Sequence, residues 1–196
     1  MPEAIGKAMQ LALSSKGAQW HLQKYVTQVN KKNNHFSVHL SDNTEIGADL
    51  VLSAIGLRPH TELAQLAGLN VNRGIVVDTT LQTSSEHIYA LGDCAEVNGS
   101  VQLFVAPLLE CARTLAKTLA GQVTTIHYPP MPVVVKTPAL PMVILAPAPD
   151  TKGEWHISGE GNDLKAVFYD QQKNVRGFAL TGKCVIEKGE LVKAVK

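Results

Sequence analysis

Gly92 and Asp93 end the stretch Thr83-Ser-Ser-Glu-His-Ile-Tyr-Ala-Leu-Gly-Asp93, and their types and order suit the binding of a polyhydroxylated group. Residues His87 to Leu91 read as a strand, with isoleucine and tyrosine supplying β propensity. Glycine at its end lets a bulky ligand come against the backbone, because no Cβ stands in the way. The aspartate then places a carboxylate at the carboxyl end of a strand, where open α/β sheets bind their ligands. An acceptor there suits the hydroxyls of a sugar or ribityl chain. A plain strand followed by a Gly-Asp turn has the same letters, so the neighbouring segments decide between the two.

Other residues with chemical potential are fewer. Cys94, Cys111 and Cys184 form no Cys-x-x-Cys pair and have no zinc-site spacing. Cys94 and Cys111 read as reduced packing residues rather than nucleophiles. The histidines are scattered, and His87 has no carboxylate or second histidine to complete a site. Gly159-Glu-Gly161 lacks the third glycine and the following helix of a phosphate loop. No side chain reads as a catalytic acid, base or nucleophile.

The elements that must position Asp93 follow from periodicity. Asp49-Leu-Val-Leu-Ser-Ala-Ile-Gly-Leu-Arg-Pro59 is an apolar run that stops at Gly56 and is fixed by Pro59, a buried strand leaving into a turn. Asn72-Arg-Gly-Ile-Val-Val-Asp78 is a strand entered through Gly74. A helix from Ala106 to Ala120 carries Leu108, Ala112, Leu115 and Leu119 on one face, with Pro107 near its start and Gly121 past its end. Ahead of these lies a helix from Glu3 to Lys16, with Ile5, Ala8, Met9, Ala12 and Leu13 at helical spacing. Strands near Trp20 to Val29 and at Phe36, Val38 and Leu40 follow, turning at Asp42-Asn43. Beyond Tyr128-Pro-Pro-Met-Pro the texture changes to short strands at Val133 to Lys136, Glu154 to Ser158, Leu164 to Tyr169 and Val175 to Leu180, closed by a short helix.

Ala54-Ile-Gly56, the Asn72 to Asp78 strand and Ile88-Tyr-Ala-Leu-Gly-Asp93, in that order, resemble the pyridine-nucleotide–disulfide oxidoreductase superfamily. Ile55 stands where the family usually has threonine. Tyr89-Ala-Leu-Gly-Asp-Cys-Ala-Glu-Val97, Met131-Pro-Val-Val-Val-Lys-Thr-Pro138 and Gly177-Phe-Ala-Leu-Thr-Gly182 narrow the likeness to the rubredoxin–NAD reductases of alkane-degrading bacteria. The flavorubredoxin reductases of nitric-oxide detoxification are close relatives. The resemblance covers nearly the whole chain.

It implies an α/β fold class: partial FAD/NAD(P)-binding, Rossmann-like domains followed by a small α+β carboxyl-terminal domain. Residues 1–53 would end an NAD(H)-binding domain, 54–126 would be the second half of an FAD-binding domain, and 127–196 the carboxyl-terminal domain. FAD and NAD(H) are the implied cofactors. Gly92 and Asp93 would hold the flavin, and the backbone of Val105 and Ala106 would face its pyrimidine edge, where a helix amino end stabilises the charge of the reduced ring. Lys136 would lie close to the isoalloxazine. The implied partner is rubredoxin, an acidic iron protein, against a basic face drawn from Lys165, Lys173, Arg176, Lys183 and Lys188. A disulfide reductase of this superfamily would end on a catalytic His-Pro, and this chain has none. The family's two Gly-x-Gly-x-x-Gly loops are absent, and Met1-Pro2-Glu3 matches an interior family position. The expectation is therefore the carboxyl-terminal half of a reductase, inactive alone. A non-catalytic, partner-binding module is the alternative.

Composition sets outer bounds. At 196 residues the chain has room for one large domain or two smaller ones. A net charge of +1 gives no reason to expect nucleic acid or a membrane surface as partner. The apolar run from Leu140 to Ala148 is interrupted by prolines and falls far short of the ~20 residues that span a bilayer. No basic-then-apolar leader opens the chain, and a cytoplasmic location is expected.

Overall fold

The computed structural model describes all residues from Met1 to Lys196. Two compact units emerge, residues 14–56 and the remainder. They cut the chain differently from the three-part reading at 53 and 126.

Helix α1 (Glu3–Ser14) belongs to the larger unit. Within the smaller unit, β1 (Val26–Lys32), β2 (His35–Leu40) and β3 (Glu45–Ala48) form an antiparallel meander, with Asn43 in the left-handed region at the second turn. Ser37, His39 and Glu45 come together here. The Ser37 hydroxyl donates to Glu45, and Oγ lies 3.1 Å from Nε2 of His39. Its proton is committed to the carboxylate, so the trio braces the sheet and is no nucleophile–base pair.

The apolar run from Leu50 to Ile55 corrects a sequence expectation. It is extended coil, with Leu50, Leu52 and Ile55 at 81, 84 and 90 % exposure. A continuous apolar strand is buried only where parallel neighbours flank it and both sheet faces are covered. No strand of this chain pairs with it.

In the larger unit a short helix, α2 (Glu62–Leu66), leads to β4 (Ile75–Val77), which pairs in parallel with β5 (Ala95–Val97). The antiparallel β6 (Ser100–Val101) and helix α3 (Val105–Leu119) follow. Val77, Leu81, Ala90, Ala95, Val97, Cys111 and Leu115 form the core between strands and helix.

The carboxyl-terminal sheet is antiparallel, in the order β7 (Val133–Val135), β8 (Met142–Leu145), β11 (Val175–Thr181), β10 (Asp163–Asp170), β9 (Gly153–Glu160). Alternation divides its side chains cleanly between two faces. One face, with Met142, Leu164, Ala166 and Ala179, packs on Ile5 and Ala8 of α1. The other, with Val143, Val167, Phe178 and Leu180, packs on Leu191 of α4 (Lys188–Ala194). The apolar stripe of α1 thus serves this sheet.

Candidate functional site

The site grows from a buried glutamate. Glu96 sits in the middle of β5, only 3 % exposed. Its carboxylate accepts hydrogen bonds from the Asn72 side-chain amide (2.9 Å) and from the backbone N–H groups of Arg73 (2.8 Å) and Gly74 (2.9 Å). Those bonds, Asn72's first, hold its pKa below the usual glutamate range. A Cβ at Gly74 would stand 2.9 Å from the Cys94 carbonyl oxygen, so only glycine lets this turn pack against the start of β5.

Immediately before β5, Gly92–Cys94 forms one turn of 3₁₀ helix. The expected strand from His87 to Leu91 is absent. His87 has φ +69°, outside any strand conformation, and the ladder shrinks to a single bridge between Tyr89 and Gln82. Asp78 shapes this loop by accepting from Thr80 and Gln82. The segment finds only this short loop as a neighbour, too little to hold an extended strand.

Gly92 is buried with φ +76°, and a Cβ there would lie 2.7 Å from Cδ1 of Leu108 on α3. The glycine is what lets the turn meet the helix. Replacing Gly92 by alanine should destabilise the chain by roughly 1–2 kcal/mol, the cost of a left-handed non-glycine residue. Urea denaturation measures it, and an unchanged midpoint would refute the close-approach reading.

Asp93 is exposed and makes neither a hydrogen bond nor an ion pair. A carboxylate held on a rigid turn without a protein partner is available to a ligand. Facing it, α3 begins without a cap: Phe104 is extended and contributes no side-chain bond. Val105 and Ala106 are exposed at this amino end, and their N–H groups are among those a helix leaves without internal partners. The helix is anchored through Cys111, whose sulfur lies 3.2 Å from the Tyr128 hydroxyl. Burial, then that thiol, pushes the phenol's pKa up, so Tyr128 stays neutral.

Of the sequence candidates, the structure brings Gly92, Asp93, Val105 and Ala106 together. Lys136 is set apart: it is exposed and unpaired just past β7, on a groove shared with Val134, Pro138, Pro141 and Val185. None of the other four lines that groove. Lys165 is tied to Glu187 and Arg176 to Asp170, which reduces the expected basic face. Glu96 escaped sequence reading, although an acid inside the three-residue strand Ala-Glu-Val is a signal of a buried acceptor. No group of three or more His, Cys, Asp or Glu could hold a metal. All three cysteines are free thiols, and burial, followed by Glu187 and Asp163, raises the pKa of Cys184. No helix is long and apolar enough to cross a membrane.

The overall fold is shared with solved reductase structures. The ferredoxin reductase of the Rhodopseudomonas palustris CYP199A2 system superposes with TM-score 0.82 at 25 % identity, over 92 % of this chain and 46 % of that one. The covalent putidaredoxin reductase–putidaredoxin complex gives 0.83 at 21 %, over 99 % and 49 %. The pyridine nucleotide-disulphide oxidoreductase model matches residues 1–110, and a rubredoxin binding C-terminal domain model matches 125–195. The chain belongs to the pyridine nucleotide-disulphide oxidoreductase family. The rubredoxin-NAD(+) reductase of Alcanivorax borkumensis is 46 % identical over 98 % of this chain and 51 % of its own length. The nitric oxide reductase FlRd-NAD(+) reductase of Aliivibrio fischeri is 40 % identical, over 94 % and 49 %. The chain spans about half the length of the curated relatives it matches.

Proposed function

We propose that this chain forms the flavin-orienting and partner-docking half of an NADH:rubredoxin oxidoreductase. The carrying observation is the free Asp93 carboxylate beside the uncapped amino end of α3, in a chain whose last 70 or so residues match a rubredoxin-binding domain. These residues fit FAD. Asp93 would accept hydrogen bonds from ribityl hydroxyls, and the N–H groups of Val105 and Ala106 would face the electron-rich pyrimidine edge. A flavin held there would supply hydride-accepting and single-electron-donating chemistry. The protein's part is to hold and orient it, with Gly92 allowing α3 to approach and Glu96 fixing the turn behind. Residues 1–53, 54–126 and 127–196 would serve the nicotinamide, flavin and docking functions, with the cytoplasm as the setting. The Aliivibrio relative supports a second acceptor, a flavorubredoxin.

The test supplies the missing half. Co-expressed with, or fused to, the amino-terminal half of the Alcanivorax reductase, the chain should yield an FAD-loaded protein that reduces rubredoxin with NADH. Stopped-flow rates against rubredoxin and flavorubredoxin rank the two acceptors. A flavin-loaded assembly that reduces ferricyanide but neither iron protein would refute the proposal.

A further inference from the structure

Asn98 and Gly99 form the tip of the hairpin between β5 and β6. Val97 pairs with Ser100 across them, and their φ angles are +49° and +73°. A two-residue loop with both φ positive has the signs of a type I′ turn, for which Asn-Gly is a preferred pair. Both residues are exposed, and the Asn98 side-chain amide has no hydrogen-bond partner. Around Gly99 the space is open, since a Cβ there would meet nothing within 4 Å. Asn33 and Asn43 share this setting: each is exposed, in the left-handed region (φ +54° and +66°), at the turn of a hairpin. Of all the asparagines, only Asn98 is followed by glycine.

We propose that Asn98-Gly99 is a site of spontaneous deamidation, and that the isoaspartate formed there loosens the Glu96 anchor. Asparagine is thermally labile, and glycine leaves its backbone nitrogen unshielded because no Cβ flanks it. The Gly99 nitrogen attacks Cγ of Asn98: a C–N bond forms, the bond to the side-chain nitrogen breaks, and ammonia leaves. Water, the only co-reactant, opens the resulting succinimide at either carbonyl, giving aspartate or isoaspartate. Isoaspartate carries the main chain through its former side chain and so lengthens the loop by a backbone carbon. The added atom breaks the match between Val97 and Ser100, and β6 has only Ser100 and Val101 with which to resist. Val101 is a cover for the turn that Glu96 holds. Its Cγ2 is 3.1 Å from the position a Cβ would take at Gly74, and the Gly74 N–H is the buried donor to Glu96. Displacing β6 therefore opens that hydrogen bond to water.

Incubating the 196-residue chain at mildly alkaline pH, and mapping its peptides by mass spectrometry over days, tests this. Conversion at Asn98 should run at least about tenfold ahead of Asn33 and Asn43, a barrier difference of about 1.4 kcal/mol. Electron-transfer fragmentation should identify isoaspartate at position 98. The modified chain, separated by ion exchange, should exchange the Gly74 N–H faster than the parent and unfold at lower urea. Asn98→Gly keeps a positive φ without the reactive amide, so the same incubation should leave its urea midpoint unchanged. Freshly purified Asn98→Asp adds the charge without the extra backbone atom and should hold Gly74 exchange near the parent's. Conversion at Asn98 no faster than at Asn33 and Asn43 overturns the site. Isoaspartate at position 98 with unaltered Gly74 exchange overturns the link to Glu96, as does equal loss of stability in incubated Asn98→Gly. Exchange in Asn98→Asp as fast as in the modified chain assigns the effect to charge and overturns the role of the lengthened loop.

Discussion

Asp93→Ala is expected to strip FAD from the reductase assembled with an amino-terminal half while leaving the 196-residue chain as stable as before. The two effects separate because the carboxylate makes no internal bond: it supports nothing in the fold. Each hydrogen bond from a ligand hydroxyl to an ionised carboxylate contributes roughly 1.5–3 kcal/mol, or about ten- to a hundredfold in affinity. Two ribityl hydroxyls on one carboxylate would multiply that loss. Asp93→Asn keeps an acceptor of the same shape without the charge and should fall between parent and alanine. Flavin absorbance per polypeptide after gel filtration reads the result, alongside the thermal midpoint of the isolated chain. Full flavin content in the alanine variant would remove Asp93 from the cofactor site. A lowered midpoint would mean that the side chain braces the turn. The isolated chain should hold no FAD in either form, because neither phosphate loop is present to take the pyrophosphate.

What could be read from sequence divides along a physical line. Elements stabilised by their own periodicity or by close neighbours were legible. The Pro107 and Gly121 ends of α3 and the hairpin β10–β11 need only nearby partners. The spacing of α1 was legible by itself, although its stripe packs on the distant carboxyl-terminal sheet. Strand β1 begins at Val26, later than the Trp20 expected. The segments 50–55 and 87–91 read as strands because their residues favour a covered sheet, yet this chain offers them no covered sheet. β8 was hidden for the opposite reason. Pro141 and Pro147 were read as interruptions of an apolar run, whereas they bracket a strand inside the sheet. The cofactor candidates Gly92, Asp93, Val105 and Ala106 were legible because a glycine, a carboxylate and a helix start keep their chemistry in any context. The significance of Glu96 was not. An acid becomes a buried acceptor only through tertiary neighbours that no local pattern encodes.

Glu96 carries the largest expected effect on stability. Its buried carboxylate accepts from the buried Gly74 N–H and from the more exposed Arg73 N–H and Asn72 amide. Alanine would leave the buried Gly74 N–H without a partner, and a buried unsatisfied group costs about 1–3 kcal/mol. A loss of about 2–3 kcal/mol is therefore expected, with the bonds to Arg73 and Asn72 adding to the buried donor's cost, a large share of the stability of an ordinary domain. Glutamine restores this only in part: its carbonyl oxygen can accept from Arg73 and Gly74, but the charge that strengthens those bonds is lost and its NH₂ meets the Asn72 amide. The pH dependence has a definite sign. Because the folded-state pKa lies below the ordinary 4.5, the contribution is complete above that value and is lost as pH falls through the folded pKa. Asp170 behaves similarly and further down. Burial would raise its pKa, but Arg176, Asn174 and Gln172 outweigh that and lower it to about 2. The parent should thus lose stability progressively from pH 4.5 downward. Glu96→Gln should be less stable than the parent at pH 7, and the gap should narrow in acid. Hydrogen exchange at the Arg73 and Gly74 amides, measured at both pH values, reports this turn directly. Exchange in Glu96→Gln as slow as in the parent at pH 7, or a gap that stays constant into acid, would show that the 72–74 turn stands without the carboxylate.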